Sequence, residues 1–359
     1  MAATTLSVAP HQIEKWQTSE TSHKSVRRLS LVGGEDLHHW HADQVMAITR
    51  NLSADRGGML ESLKIIQFIP ESGSKGEDPP PIEEVFRPVA HSLTNIWLDV
   101  PGEVGSGTLL GILFSLPKLE EFTIYAPIIR QSLYQGGINQ GGTPMTGKLG
   151  LFRLDVGGEI FINQLLQYVP LACHTIGLSH NKLIDSYNSL INASANTLRS
   201  LAIHHIGKRA SIPATNTQVL SPAPCIEEPH FKRVHDHISV VNCSDLSELV
   251  FSAVEISEAK TTRMITAVLS TVSSARFEKL RISYQCALDS EAVTAEADSP
   301  EWDAVDEELV RIASKSDCEI EVTFNSPCVG GGDPVHASRF LSRFQEKGPV
   351  KFAFDPVLL

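Results

Sequence analysis

No stretch of this chain stays apolar for the roughly 18 residues that a membrane-spanning helix requires, so no span is expected. The opening residues, MAATTLSVAPHQ, carry neither a basic segment nor an apolar one, so no signal peptide is expected either. Cysteine is sparse: six in 359 residues, with no C-x-x-C pair. That usage predicts reduced core thiols in a cytoplasmic or nuclear protein. Basic residues are outnumbered, with 30 Lys and Arg against 42 Asp and Glu and a net charge of −12. Such a balance argues against nucleic acid or an anionic membrane as the main partner. Catalytic signatures are missing too. There is no G-x-S-x-G, no dinucleotide-binding glycine fingerprint and no local Cys/His arrangement.

What the chain does have is a repeat. SLTNIWLDVP (92–101) and KLEEFTIYAP (118–127) superimpose residue by residue. Leu93 matches Leu119, Ile96 matches Phe122, Leu98 matches Ile124, and Pro101 matches Pro127, each 26 residues on. This L-x-x-L-x-L unit has the spacing of a leucine-rich repeat. Its last two apolar positions lie two apart, so on a strand they share one face while the residues between them point to the other. The apolar run from Thr108 to Leu116 predicts a helix between the two strands, as a parallel crossover needs. A single unit cannot bury its apolar face alone, so units stack.

Further copies follow along the chain. Val26, Leu29 and Leu31 predict a first strand, and Leu63, Ile66 and Phe68 a second. Leu149, Phe152 and Leu154 predict a fifth, and Cys173, Ile176 and Leu178 a sixth. Leu198, Leu201 and Ile203, then Leu246, Leu249 and Phe251, then Phe277, Leu280 and Ile282 give three more. Helices are expected from His41 to Leu52, from Ser257 and from Pro300, the last with a stripe of Trp302, Val305, Leu309 and Ile312. Residues 1–24 read as a tail or cap, and 25–359 as a single domain. Gly207 to His237 reads as a long loop insertion without periodicity. The expected fold class is α/β: an irregular leucine-rich-repeat-like solenoid with a parallel sheet on its concave side and helices on its convex side.

In pattern, the segments SLTNIWLDVP, KLEEFTIYAP, TLRSLAIHHI, VLSTVSSARFEKLRISY and EWDAVDEELVRIASKSDCEIEVTF resemble fungal, basidiomycete-type F-box/leucine-rich-repeat-like proteins. The resemblance covers most of residues 25–355. It implies repeats that select a substrate for a ubiquitin ligase, docked through an N-terminal F-box. Residues 1–60 show no L-P-x-E-I-L-type opening, so the F-box itself is not evident.

Site expectations follow from strand alternation. The outward positions are Asn95, Trp97 and Asp99 on the third strand, and Glu121, Thr123 and Tyr125 on the fourth. Leu151, Arg153 and Asp155 follow on the fifth, Thr175 and Ser179 on the sixth, His204 on the seventh, and Lys279 and Arg281 on the ninth. Trp, Tyr and Arg are the types enriched at binding hot spots, so these residues are expected to bind a protein partner on a monomer. Neither cofactor nor metal is expected. His38, His39 and His41 surround Trp40 but do not converge, and His230, His235 and His237 sit in the long loop. GTPMTGK (142–148) fits a phosphate-binding loop except that Leu149 replaces the Ser or Thr, and it precedes a strand instead of following one. The carboxylates of Asp298, Glu301, Asp303, Asp306, Glu307 and Glu308 are expected to form a solvated acidic helix face.

Overall fold

The computed structural model describes residues 4–9, 12, 26–32, 39–54, 59–70, 81–132, 145–154, 157–179, 184–206, 237–255, 259–285, 300–315, 317–325, 341–345 and 350–353. The protein is mixed α/β, and its chain divides into two compact units, Met1–Leu201 and Ala202–Leu359.

In the first unit, strands β1 (Thr4–Val8), β2 (Val26–Leu31), β4 (Ser62–Ile65), β6 (Asn95–Asp99), β8 (Glu121–Tyr125), β10 (Lys148–Phe152) and β11 (Thr175–Ser179) lie side by side in chain order. Every neighbouring pair among them is parallel. Their apolar positions fall into rows across the sheet. Leu29, Leu63, Ile96, Phe122, Leu149 and Ile176 align in one row, and Leu31, Ile65, Leu98, Ile124, Leu151 and Leu178 in the next. All are buried. The third apolar position of the repeat, represented by Leu60, Leu93 and Cys173, is buried as well.

Helices α1 (Ala42–Ala54), α2 (Ile82–Phe86), α3 (Ser106–Ser115), α4 (Gly158–Tyr168) and α5 (Ile184–Ala193) follow, each packed on the next. Val45, Ile48 and Leu52 of α1, Leu109, Leu110 and Ile112 of α3, and Phe161, Ile162 and Leu165 of α4 are buried. The core lies between this helix layer and one face of the sheet. Each of these leucine-sized side chains stabilises the fold by about 1.5–3 kcal/mol. Two short parallel pairs extend the strand-to-helix side: β3 (Trp40–His41) with β5 (Phe68–Ile69), and β7 (Glu103–Gly105) with β9 (Ile128–Arg130).

Strand β12 (Ser200–Ile206) starts in the last residues of the first unit. In the second unit it neighbours β13 (Glu248–Glu255), followed by β14 (Lys279–Gln285), β15 (Glu319–Asn325) and β16 (Val350–Ala353). The pairs from β13 to β16 are parallel. Helices α6 (Ala259–Ser270), α7 (Pro300–Lys315) and α8 (Ser342–Gln345) pack in sequence, α6 on α7 and α7 on α8. The expected stripe of α7 is buried at Trp302, Val305, Leu309 and Ile312.

Three expectations change. Residues Thr4–Val8 form a strand paired with β2, where a tail or cap was expected; Leu6 and Val8 alternate, but the segment is too polar to read as a repeat. The expected single domain over 25–359 meets a chain that divides near Leu201. The second and fifth strands are also out by three residues: in the second, L-x-x-L-x-L matches twice in overlapping frames, and in the fifth it is complete only in the wrong frame, because the true one opens on Thr146. Leu60, Leu63 and Ile65 occupy the repeat positions assigned to Leu63, Ile66 and Phe68. Likewise Leu149 and Leu151 occupy the inner positions assigned to Phe152 and Leu154. The cause is a left-handed residue after each strand: Gln67 (φ 62) and Arg153 (φ 57). Each turns the chain so that the next residue, Phe68 or Leu154, re-enters the core and mimics a strand position. Residues 207–236, which include most of the expected loop insertion together with His230 and His235, lie outside the described residues, as do His38, Asp155 and Asp298.

Candidate functional site

The second face of the first unit's sheet carries no helix among the described residues. Its side chains stand in rows set by the register. One row runs Lys64, Trp97, Thr123, Gly150, Gly177, and the next includes Asp99, Tyr125 and Phe152. Strand alternation therefore brings together five of the expected residues, Asn95, Trp97, Asp99, Thr123 and Tyr125, with Glu121 exposed at the strand entrance.

An aromatic ladder crosses this face. The Trp97 and Tyr125 rings are 5.0 Å apart and tilted by 54°, and the Tyr125 and Phe152 rings are stacked at 4.8 Å and 29°. Lys64 Nζ sits 4.3 Å from the Trp97 ring centroid, a cation–π contact. Phe152 was expected in the core, yet it lies on this open face and is still only 7 % exposed. Glycine makes the room: a Cβ on Gly177 would come within 2.8 Å of the Phe152 ring, and one on Gly150 within 2.9 Å. Trp97 and Tyr125 stay half-buried, leaving part of each ring in contact with water.

Asp99 and Ser179 hold equivalent places. The Ser179 hydroxyl accepts the backbone N–H of the left-handed Arg153 at 2.7 Å. Asp99 accepts the backbone N–H of the left-handed Gln67. A residue in this conformation leaves the strand ladder, and its N–H needs another acceptor. Asp99, expected purely as a partner contact, is thus also part of the turn. Burial pushes its carboxyl above the usual carboxylate range; the Arg153 and Lys64 charges and the Gln67 N–H pull the other way without cancelling it. Tyr125 is pushed up by burial and then by the Asp99 charge.

Arg153 does not project from a strand, as the original frame required, but from the turn past β10, where it is exposed. It nevertheless acts on both Asp99 and Tyr125.

The open face of the second unit is different in kind. Lys279 pairs with Glu319 at 3.1 Å, and Arg281 lies between Glu248 (4.0 Å) and Glu321 (3.7 Å). His204 shares a hydrogen bond with Ser252. The expected residues Arg281 and His204 are therefore engaged within their own sheet.

The other candidate motifs resolve structurally. Gly147 packs against β8: a Cβ there would fall 1.9 Å from the Glu120 carbonyl oxygen, while the Lys148 N–H donates to that same oxygen at 2.7 Å. That glycine serves close backbone approach. His39 and His41 flank the buried Trp40, and among the described residues no group of three His, Cys, Asp or Glu side chains is arranged to hold a metal. The acidic face of α7 is not simply solvated. Asp306 is buried and accepts the Arg343 and Phe344 N–H groups at 2.8 Å each, capping α8. Glu301 pairs with Arg263, Glu307 with Arg343 and Glu308 with Arg311. Hydropathy had no means of showing that Glu301, Asp306 and Glu307 face neighbouring helices, whereas Glu308 pairs within its own helix.

Compared with known proteins, the chain matches no family model and no curated protein. The fold and the site define it as a mixed α/β protein with a large parallel sheet, one face of which carries no described helix in the first unit. No described helix is long and apolar enough to cross a membrane.

Proposed function

We propose that the protein is an irregular leucine-rich-repeat-like solenoid that binds a protein partner on its open sheet face and catalyses no reaction. The parallel strands in chain order, each with its buried L-x-L pair in register, support the repeat reading. The observation that carries the function is the half-exposed Trp97–Tyr125 pair in the middle of that face. Aromatic side chains partly held in water, on rigid strands, are what hot spots are made of. The protein acts as a monomer in the cytoplasm or nucleus, without a cofactor.

Two roles fit this reading. One is substrate recognition for a ubiquitin ligase, which rests on the resemblance to F-box/leucine-rich-repeat-like proteins. The other is an adaptor unconnected to ubiquitin. The described residues between 26 and 65 form β2, β3, α1 and β4, so the receptor role rests on the resemblance alone. Affinity capture with the native chain and with Trp97→Ala tests the binding reading, which expects a partner retained by the first and lost from the second. An identical protein set from both sinks it. Recovery of a ligase scaffold with the native chain would select the receptor role.

A further inference from the structure

We infer that the partner segment taken by this face is acidic: an extended peptide in which an apolar side chain is flanked by carboxylates. The inference rests on the partner-binding reading above and specifies its chemistry. Two exposed cations bracket the aromatic pair. Lys64 stands on β4 on one side of Trp97, and Arg153 follows β10 on the far side of Tyr125. They are three strand steps apart, roughly 14 Å across the strands, with Arg153 also beyond the Lys64 row along them, a diagonal that a few residues of extended chain cover.

The bookkeeping of charge on this face decides the sign of the partner. Neither Lys64 nor Arg153 joins an ion pair among the described residues, whereas Arg27 is paired with Glu61 and Arg130 with Glu103. Among the described residues the one carboxylate between them is Asp99, which already accepts the Gln67 N–H and faces both cations. One row toward the strand entrances, Glu121 stands beside Lys148 in register and adds no net charge. The patch thus carries two cations to one carboxylate in a protein of net charge −12. A cationic partner would meet two like charges and a carboxylate already engaged. A carboxylate partner would meet two cations that join no ion pair among the described residues, Lys64 resting over the Trp97 ring, while Trp97 and Tyr125 take its apolar side chain. Past Thr123, the two positions on this row are Gly150 and Gly177, and the Phe152 ring lies over them, continuing the apolar surface of the aromatic pair.

The test uses fluorescence anisotropy on the full chain with two labelled peptides of about twelve residues. One repeats Glu-Glu-Leu and the other Lys-Lys-Leu. The acidic peptide is expected to bind more tightly, to weaken as salt is raised, and to lose affinity about tenfold or more in Lys64→Glu/Arg153→Glu. Lys64→Gln/Arg153→Gln, whose fold is checked by its thermal midpoint, should give an intermediate loss. Tighter binding of the basic peptide, itself weakened by Trp97→Ala, overturns the acidic assignment and leaves the open-face reading standing. Binding of the acidic peptide that neither charge variant changes also overturns the assignment. If neither peptide binds, or if Trp97→Ala changes nothing, both readings fall.

Discussion

At the scale of the residue, Trp97 and Leu98 are chain neighbours with opposite fates. Leu98 is fully buried beneath the helix layer, and Trp97 is half-buried on the open face. Leu98→Ala is expected to cost about 2–5 kcal/mol by opening a cavity. Trp97→Ala should cost stability by only about 1–2 kcal/mol, the worth of its contacts with Tyr125 and Lys64, while weakening partner binding by about 2 kcal/mol or more. Urea unfolding of both variants, with a pull-down for the second, checks this; equal destabilisation would mean that Trp97 belongs to the core. Asp99 gives a sharper case, because its two roles separate by chemistry. Its carboxyl titrates above its ordinary range in the folded state, so folding favours the protonated form. The stability linked to this group is complete below the unfolded pKa and is lost as pH rises through the higher folded one. Asp99→Asn, which keeps an acceptor for the Gln67 N–H and removes the charge, should hold or raise the thermal midpoint at neutral pH. Asp99→Ala, which orphans that N–H, should lower it, by about 1–3 kcal/mol in stability. A drop in the midpoint of Asp99→Asn as large as that of Asp99→Ala would show that the charge itself is stabilising.

At the scale of the element, the turn that ends β4 and β10 does more than connect. It takes Gln67 and Arg153 into a left-handed conformation that costs a non-glycine residue about 1–2 kcal/mol. The structure offsets that cost with an acceptor on the next strand and with the burial of Phe68 and Leu154. Gln67→Gly should therefore raise stability by up to about 1 kcal/mol, and Ser179→Ala should lower it by about 1–3 kcal/mol. Chemical denaturation reads both, and a stabilising Ser179→Ala would remove the hydroxyl from this account. The same turn explains which parts of the site were legible. The third and fourth strands match L-x-x-L-x-L in one frame only, so Trp97 and Tyr125 could be placed outward from alternation alone. The fifth strand completes the motif only in the wrong frame, since Thr146 opens the true one, and correcting it needs the φ angle of Arg153, which no pattern of apolar residues encodes. Phe152 was missed as a member of the aromatic ladder for that reason. The glycines at 150 and 177, one in each of two successive strands, were the available signal that something bulky lies over the sheet there.

At the scale of the whole molecule, each unit holds a buried thiol that can report on it. Burial pushes Cys173 in the first unit and Cys243 in the second up to about 11. Since a raised folded pKa favours the protonated form, stability is intact below the ordinary thiol range and falls as pH rises from about 9 to about 11. The loss should reach about 2–3 kcal/mol for each thiol. Pulse alkylation with peptide mass mapping is expected to find both thiols unreactive in the native protein at pH 8, while each becomes labelled as its own unit unfolds in urea. Native-state labelling of either at the rate of a free thiol would contradict its burial. Measured against increasing urea, the two labelling midpoints also tell whether the units unfold together.

The sequence by itself determined the α/β class, the order of the strands, the helices at 42–54 and 300–315, and the outward face at Trp97 and Tyr125. These follow from periodicities of 2 and 3.6 residues, which are local properties of the chain. Only the tertiary structure decided the frame of the second and fifth strands, the strand at Thr4–Val8 and the burial of Asp306. It alone showed the ion-paired state of Arg281 and the bracketing of an aromatic pair by Lys64 and Arg153. Each of these depends on which residue lies opposite on the next strand or helix, tens of positions away along the chain. Side-chain neighbours across a parallel sheet are fixed by register, and register is set by the packing of all the strands at once.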